Sequence, residues 1–112
     1  MATGQRGKTQ DGDLRPLLVD LGARPGSRAT LLQFSSAFCA PCRATRQVLG
    51  QVAAEVDGVT HVEVDAELHL DLVRRLRVHR TPTTLVLDGQ GREVRRATGR
   101  PTPAHVRQAL PS

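Results

Sequence analysis

Tryptophan and tyrosine are absent from the sequence, and Phe34 and Phe38 are its only aromatic residues. A surface that binds nucleic acid by stacking therefore has no platform residues, and no known binding motif replaces them, so no nucleic-acid partner is expected. The same scarcity forces the core onto Leu, Val and Ala. Lysine is nearly missing too: Lys8 is the single one, so the formal net charge of +5 rests on arginine. No apolar stretch of about 18 residues or more occurs, and the opening Met1-Ala2-Thr3-Gly4 lacks the hydrophobic segment of a signal peptide. The chain reads as soluble. It has no internal repeat and no shift in composition, and 112 residues suit one hydrophobic core rather than two.

What is present divides the chain at its start. Residues 1–12 are Gly- and polar-rich and read as a disordered arm, a tag remnant or the trimmed end of a longer protein, with a single domain over residues 13–112. Leu14, Leu17, Leu18 and Leu21 recur at helical spacing before Gly22. Thr30 to Phe34 reads as a buried central strand. After Pro41, Ala44, Val48, Val52 and Val56 step by four, joined by Leu49 and Ala53, until Gly58, which predicts a long amphipathic helix. Val59 to Asp65 alternates, with Val62 and Val64 on one face and His61 and Glu63 on the other, the pattern of a strand. Asp65 then caps a helix whose apolar side is Leu68, Leu72 and Leu76, with Arg74, Arg75 and Arg77 on the remaining faces. Thr83 to Leu87 is a further central strand, and Asp88-Gly89-Gln90-Gly91 turns it into a hairpin with Glu93 to Ala97. Thr102-Pro103 opens a last helix with Val106, Ala109 and Leu110 buried. Strands separated by a helix are expected as parallel neighbours and the final pair as antiparallel, which gives a mixed sheet covered by helices on both faces.

The two cysteines stand together as Cys39-Ala40-Pro41-Cys42, between a predicted strand and a predicted helix. This spacing allows a reversible disulfide, and the unpaired N–H groups of a helix start favour a thiolate at Cys39. Cys42, one turn further in, is expected to be less exposed. The division that follows is Cys39 as the attacking sulfur and Cys42 as the resolving one.

Here the chain resembles the thioredoxin family, from about Leu14 to Leu110. The resemblance is carried by Phe34-Ser35-Ser36-Ala37-Phe38-Cys39-Ala40-Pro41-Cys42-Arg43 as the strand-end active site, by Thr81-Pro82-Thr83 as a cis-proline loop, and by Gly99 after the hairpin. It implies a thioredoxin-like α/β fold with a central mixed sheet of four to five strands flanked by helices on both faces. It also implies that Pro82 lies against the sulfurs and that the backbone at Thr81 pairs with an extended substrate segment. Pro41 and Phe38 belong to the active-site turn, with Phe38 where the family has tryptophan and Ala40 where it has glycine. Ser35 replaces a second, bulky tryptophan. Gln33 stands where the family keeps a buried aspartate that deprotonates the resolving cysteine, and a neutral amide cannot accept that proton, which predicts slow turnover. The departures point to a divergent relative, of the kind some bacteria carry behind an N-terminal membrane anchor.

The resemblance thus implies a thiol–disulfide oxidoreductase that exchanges disulfides with protein substrates and draws electrons from a reductase or other thiol donor, with no metal, no organic cofactor and a monomeric state. The expected setting is the cytoplasm, or a membrane-tethered domain whose anchor has been removed. The alternative is a thioredoxin-fold binding or redox-sensor module with little turnover. A zinc site would need ligands from His61, His69, His79 and His105, whose spacing matches no finger or knuckle. A purely structural disulfide closes too short a loop to remove much unfolded-state entropy. The histidines read as surface or capping residues. Arg74 to Arg80 reads as a solvated helix face, although Arg43 and Arg80 would flank the site, where their field is screened over a Debye length of about 8 Å.

Overall fold

The computed structural model describes residues 12–112, so nearly all of the arm expected over residues 1–12 lies outside the described residues. Helix α1 (Arg15–Asp20) starts behind Leu14 with Pro16 in its first turn, where no N–H is needed. Its end is set by Gly22 at φ 81°, with the Gly22 N–H on the Val19 carbonyl and the Ala23 N–H on that of Leu18. These two bonds are the Schellman closure, in which glycine takes the left-handed position at least steric cost. Strand β1 (Ala29–Ser35) is buried at every residue. Helix α2 (Ala40–Glu55), strand β2 (Val59–Asp65), a 3-10 turn (Ala66–Leu68) and helix α3 (Leu70–Arg75) follow. Strands β3 (Thr83–Asp88) and β4 (Glu93–Thr98) form the hairpin, and helix α4 (Pro103–Ala109) closes the chain with Thr102 as its cap.

The four strands lie in the order β2-β1-β3-β4. β1 pairs parallel with β2 and antiparallel with β3, and β3 pairs antiparallel with β4. This is the mixed sheet expected, at four strands. Because side chains alternate across a strand, β1 feeds two cores. Leu32 and Phe34 join Val64, Leu85 and Leu87 beneath Leu14, Leu18, Leu72 and Leu76 on one face. Ala29 and Leu31 join Val59 and Val86 beneath Leu49, Val52 and Val106 on the other. With each buried Leu or Val worth about 1.5–3 kcal/mol, the aliphatic residues carry the fold without help from tryptophan or tyrosine.

Two expectations about the segment after β2 are corrected. The single helix through Leu68, Leu72 and Leu76 is broken into the 3-10 turn and the six-residue α3, and Leu68 is 76% exposed. A helix this short spans only about 9 Å, against about 23 Å for a seven-residue strand. The chain therefore returns to the sheet edge it left, and β3 enters beside β1 as an antiparallel strand instead of beside β2 as a parallel one. In consequence Ser35, Asp65 and Thr83, the ends of β1 and β2 and the start of β3, meet at one edge of the sheet.

Candidate active site

At that edge the chain turns sharply from β1 into α2. Phe38 has φ 56°, in the left-handed region that a bulky side chain adopts only at a cost of about 1–2 kcal/mol, and its ring is fully exposed. Cys39 follows as the N-cap of α2, in an extended conformation. The Cys42 N–H donates to the Cys39 sulfur at 3.2 Å, so Sγ occupies the place that a capping oxygen takes at other helices. Pro41 sits in the first turn, where its missing N–H leaves no helix bond unmade, and its carbonyl accepts from the Thr45 hydroxyl at 2.8 Å. Cys39 and Cys42 are joined as a disulfide with their Cα atoms 5.1 Å apart. Cys39 is half-buried, whereas Cys42 is 1% exposed. Arg43 projects into solvent one residue later.

The wall behind the cysteines is polar. Gln33 shares the α2 face of β1 with Leu31 and is 0% exposed. Its Nε2 donates to the Cys42 carbonyl and to the Ser35 Oγ, both at 2.9 Å. A carbonyl can only accept, so the amide oxygen is turned the other way, onto the His61 Nε2 at 2.8 Å, and that nitrogen carries the proton. Burial pushes the His61 pKa down, with the neighbouring Glu63 opposing the shift and Arg46 adding to it. Arg46 grips both oxygens of Glu63, at 2.6 and 3.0 Å, and holds that carboxyl below its ordinary range, with a smaller contribution from the Ser35 hydroxyl. Thr84, opposite Gln33 in the β1–β3 register, buries a hydroxyl without a hydrogen-bond partner among the described residues.

The third part of the site is the loop before β3. The Thr81–Pro82 bond is cis and Pro82 is buried. The loop is tied to the active-site turn by a hydrogen bond between the Thr81 and Ser36 hydroxyls at 2.8 Å, and to the end of the hairpin by the Gly99 N–H on the Pro82 carbonyl at 2.9 Å. The Thr83 hydroxyl donates to the Arg80 carbonyl. Gly99 has φ 81°, a conformation that explains a glycine at this junction.

The structure thus gathers Phe38, Cys39, Pro41, Cys42, Arg43, Thr81 and Pro82 on one edge, with Gln33 beneath them. Sequence reading missed His61 and Glu63, and read Ser35 only as the loss of a bulky side chain, not as a hydrogen-bond partner of Gln33. Of the histidines, His69 stands at the N-cap position of α3 without a side-chain capping bond, its Nδ1 lying 3.1 Å from the Asp65 carbonyl, and the surface role expected of His61 is corrected. The signal was the parallel pairing of β1 with β2: residues in register share a face, so His61, level with Leu31, and Glu63, level with Gln33, turn toward α2. Among the described residues no group of three or more His, Cys, Asp or Glu is placed to hold a metal ion. No helix among them is long and apolar enough to cross a membrane.

Residues 22–112 match the thioredoxin-like domain family. A thioredoxin of Chlamydia trachomatis is 34% identical over 73 residues, which are 65% of this chain and 71% of that protein. A peptide-N(4)-(N-acetyl-beta-glucosaminyl)asparagine amidase of Caenorhabditis elegans is 28% identical over 79 residues, and this chain spans only 13% of its length. Among solved structures, the thioredoxin NaTrxh of Nicotiana alata superposes with a TM-score of 0.64 at 26% identity, over 73% of this chain and 70% of that one.

Proposed function

The chain belongs to the thioredoxin-like family, and from that premise we propose that it is a thiol–disulfide oxidoreductase reducing disulfides in protein substrates through Cys39 and Cys42. The observation that carries this reading is the Cys39 sulfur at the start of α2, where it accepts the Cys42 N–H while Cys42 itself is closed off from solvent. A helix start stabilises the thiolate of its capping cysteine, and the thiolate is the nucleophile.

In the reduced protein the Cys39 thiolate attacks one sulfur of the substrate disulfide. A mixed disulfide forms and the other substrate sulfur leaves as a thiolate that takes up a proton. Cys42 then loses its proton and attacks the Cys39 sulfur, which re-forms the Cys39–Cys42 disulfide and releases the second substrate thiol. The substrate gains two electrons and the cysteine pair loses two, to be restored by a dithiol donor such as a reductase. No metal or organic cofactor takes part. Thr81 and Pro82 form the platform on which an extended substrate segment lies, Phe38 adds apolar surface beside it, and Arg43 adds positive charge. Gln33 orients the first turn of α2 through the Cys42 carbonyl but cannot take the Cys42 proton, so resolution is slow. The protein acts as a monomer in the reducing environment of the cytoplasm.

Cys42→Ser tests the assignment, because the attacking thiolate survives while its resolving partner is gone. Exposed to a peptide disulfide, this variant accumulates a mixed disulfide at Cys39, read by intact mass, and Cys39→Ser accumulates almost none. Equal trapping by the two would overturn the assigned roles. Trapping by neither would leave a binding or sensor module.

A further inference from the structure

Resting on the oxidoreductase reading, we infer that the substrate disulfide is flanked by acidic residues, read by Arg80 and Arg100. Both arginines bracket the loop on which an extended substrate would lie. Arg80 immediately precedes Thr81, whose hydroxyl is bonded to Ser36 in the active-site turn, and Arg100 follows Gly99, whose N–H is held on the Pro82 carbonyl. Both are exposed, and neither forms an ion pair among the described residues, in contrast to Arg46 on Glu63, Arg96 on Glu93 and Arg107 on Glu55. Arg43, exposed beside Cys42, adds a third positive charge at the same edge.

The charge is also one-sided. In the order β2-β1-β3-β4 the cysteine turn leaves β1, the unpaired arginines stand on the β3 and β4 side, and the β2 side ends in Asp65 and Glu67. A segment laid along Thr81 and Pro82 toward β4 passes from a neutral or acidic rim into a basic one. Carboxylates there lose the repulsion they would meet near Asp65 and gain partners that form no ion pair among the described residues. A basic segment meets the reverse. Such complementarity acts mainly through encounter and orientation, so it appears in the bimolecular rate and weakens with salt.

The test is single-turnover reduction by the pre-reduced protein of three peptides that share one disulfide and differ only in flanking residues, acidic, amide or basic. An exposed pair is worth a factor of about 1.5 to 5, so two give the acidic peptide roughly a twofold to 25-fold advantage over the amide peptide. The advantage shrinks as the Debye length drops from about 10 Å at 0.1 M salt to about 3 Å at 1 M. The quantity read is the acidic-to-amide ratio within one protein. Arg80→Gln with Arg100→Gln brings that ratio toward one. Arg24→Gln with Arg92→Gln removes the same charge from the opposite edge of the sheet and preserves it. Equal loss in both double variants would reduce the effect to net charge and overturn the inference, as would stronger competition by a duplex oligonucleotide than by the acidic peptide. Equal rates for all three peptides would overturn it while leaving the oxidoreductase standing. Failure to reduce any of them would remove the oxidoreductase reading as well.

Discussion

Replacing Gln33 by Glu keeps the length of the side chain and exchanges one buried NH2 for oxygen, so the three contacts of the amide become a direct test of the wall behind Cys42. The oxygen facing His61 at 2.8 Å keeps its donor, and the Ser35 hydroxyl can rotate to donate to the second oxygen. The Cys42 carbonyl cannot, because it only accepts, and at 2.9 Å it faces whichever atom replaces Nε2. The new carboxyl therefore either keeps its proton and donates it to that carbonyl, or ionises against it in a site that is 0% exposed. Full burial raises a carboxyl pKa by up to about 3–5 units, and an imidazole donor alongside offsets part of that, so we take about 2 units. At about 1.4 kcal/mol per unit, the ionisation costs about 2.7 kcal/mol.

The direction with pH is fixed. The unfolded carboxyl releases its proton near pH 4.3 and the folded one about 2 units higher, so the unfolded state is favoured progressively between those values and uniformly above them. Urea unfolding of the disulfide forms should show the variant matching the wild type at about pH 4, apart from any constant loss due to geometry, and falling about 2–3 kcal/mol behind it at about pH 7.5. In the reduced protein the same carboxyl can take the proton that Cys42 must lose, so single-turnover resolution of a Cys39 mixed disulfide should accelerate near neutral pH. A stability loss that does not change with pH, together with an unchanged resolution rate, would refute the placement of Gln33 behind Cys42.

Burial disfavours the charged imidazole of His61, so its contribution to stability is whole above the unfolded pKa of about 6.5 and declines as the pH falls below it. The urea midpoint should thus fall more between about pH 7.5 and pH 5.5 in the wild type than in His61→Gln, and equal falls would show that the ring is solvated. Arg77, at φ 57°, closes α3 by the same pair of bonds that Gly22 makes after α1, so Arg77→Gly should stabilise by about 0.5–1 kcal/mol; a lower melting temperature would refute the strain.

Much of the fold was legible because its elements carry strong local periods. The alternation of residues 59–65 delimits β2 to the residue, and the four-residue steps after Pro41 mark α2, although Ala44, Val48 and Val56 are half-buried and the fully buried stripe is Cys42, Thr45, Leu49 and Val52. The cysteine pair is equally local. What escaped depends on residues far apart in the chain. Leu68 fits a helical stripe with Leu72 and Leu76, yet the break at His69 turns it outward, and no pattern within residues 66–76 shows that break. The pairing of β3 is decided by where the connection returns, not by the composition of the strand.

The network behind the site has the same character. Gln33 interrupts an apolar strand and His61 occupies the polar face of another, and each alone reads as an exception or a surface residue. Only the parallel register, which sets Leu31 beside His61 and Gln33 beside Glu63, turns them toward each other and toward α2. Gln33 is then more than the loss of an acid. An acid between His61 and the Cys42 carbonyl satisfies both only while it holds its proton and must otherwise ionise against an acceptor, whereas the amide presents a donor to the carbonyl and an acceptor to the imidazole at any pH. The substitution that removes the proton acceptor for Cys42 is the one that best fits the hydrogen-bonding demands of its surroundings. On the proposed mechanism a neutral Gln33 predicts slow resolution, and the same amide satisfies the wall, so the two should change together when it does.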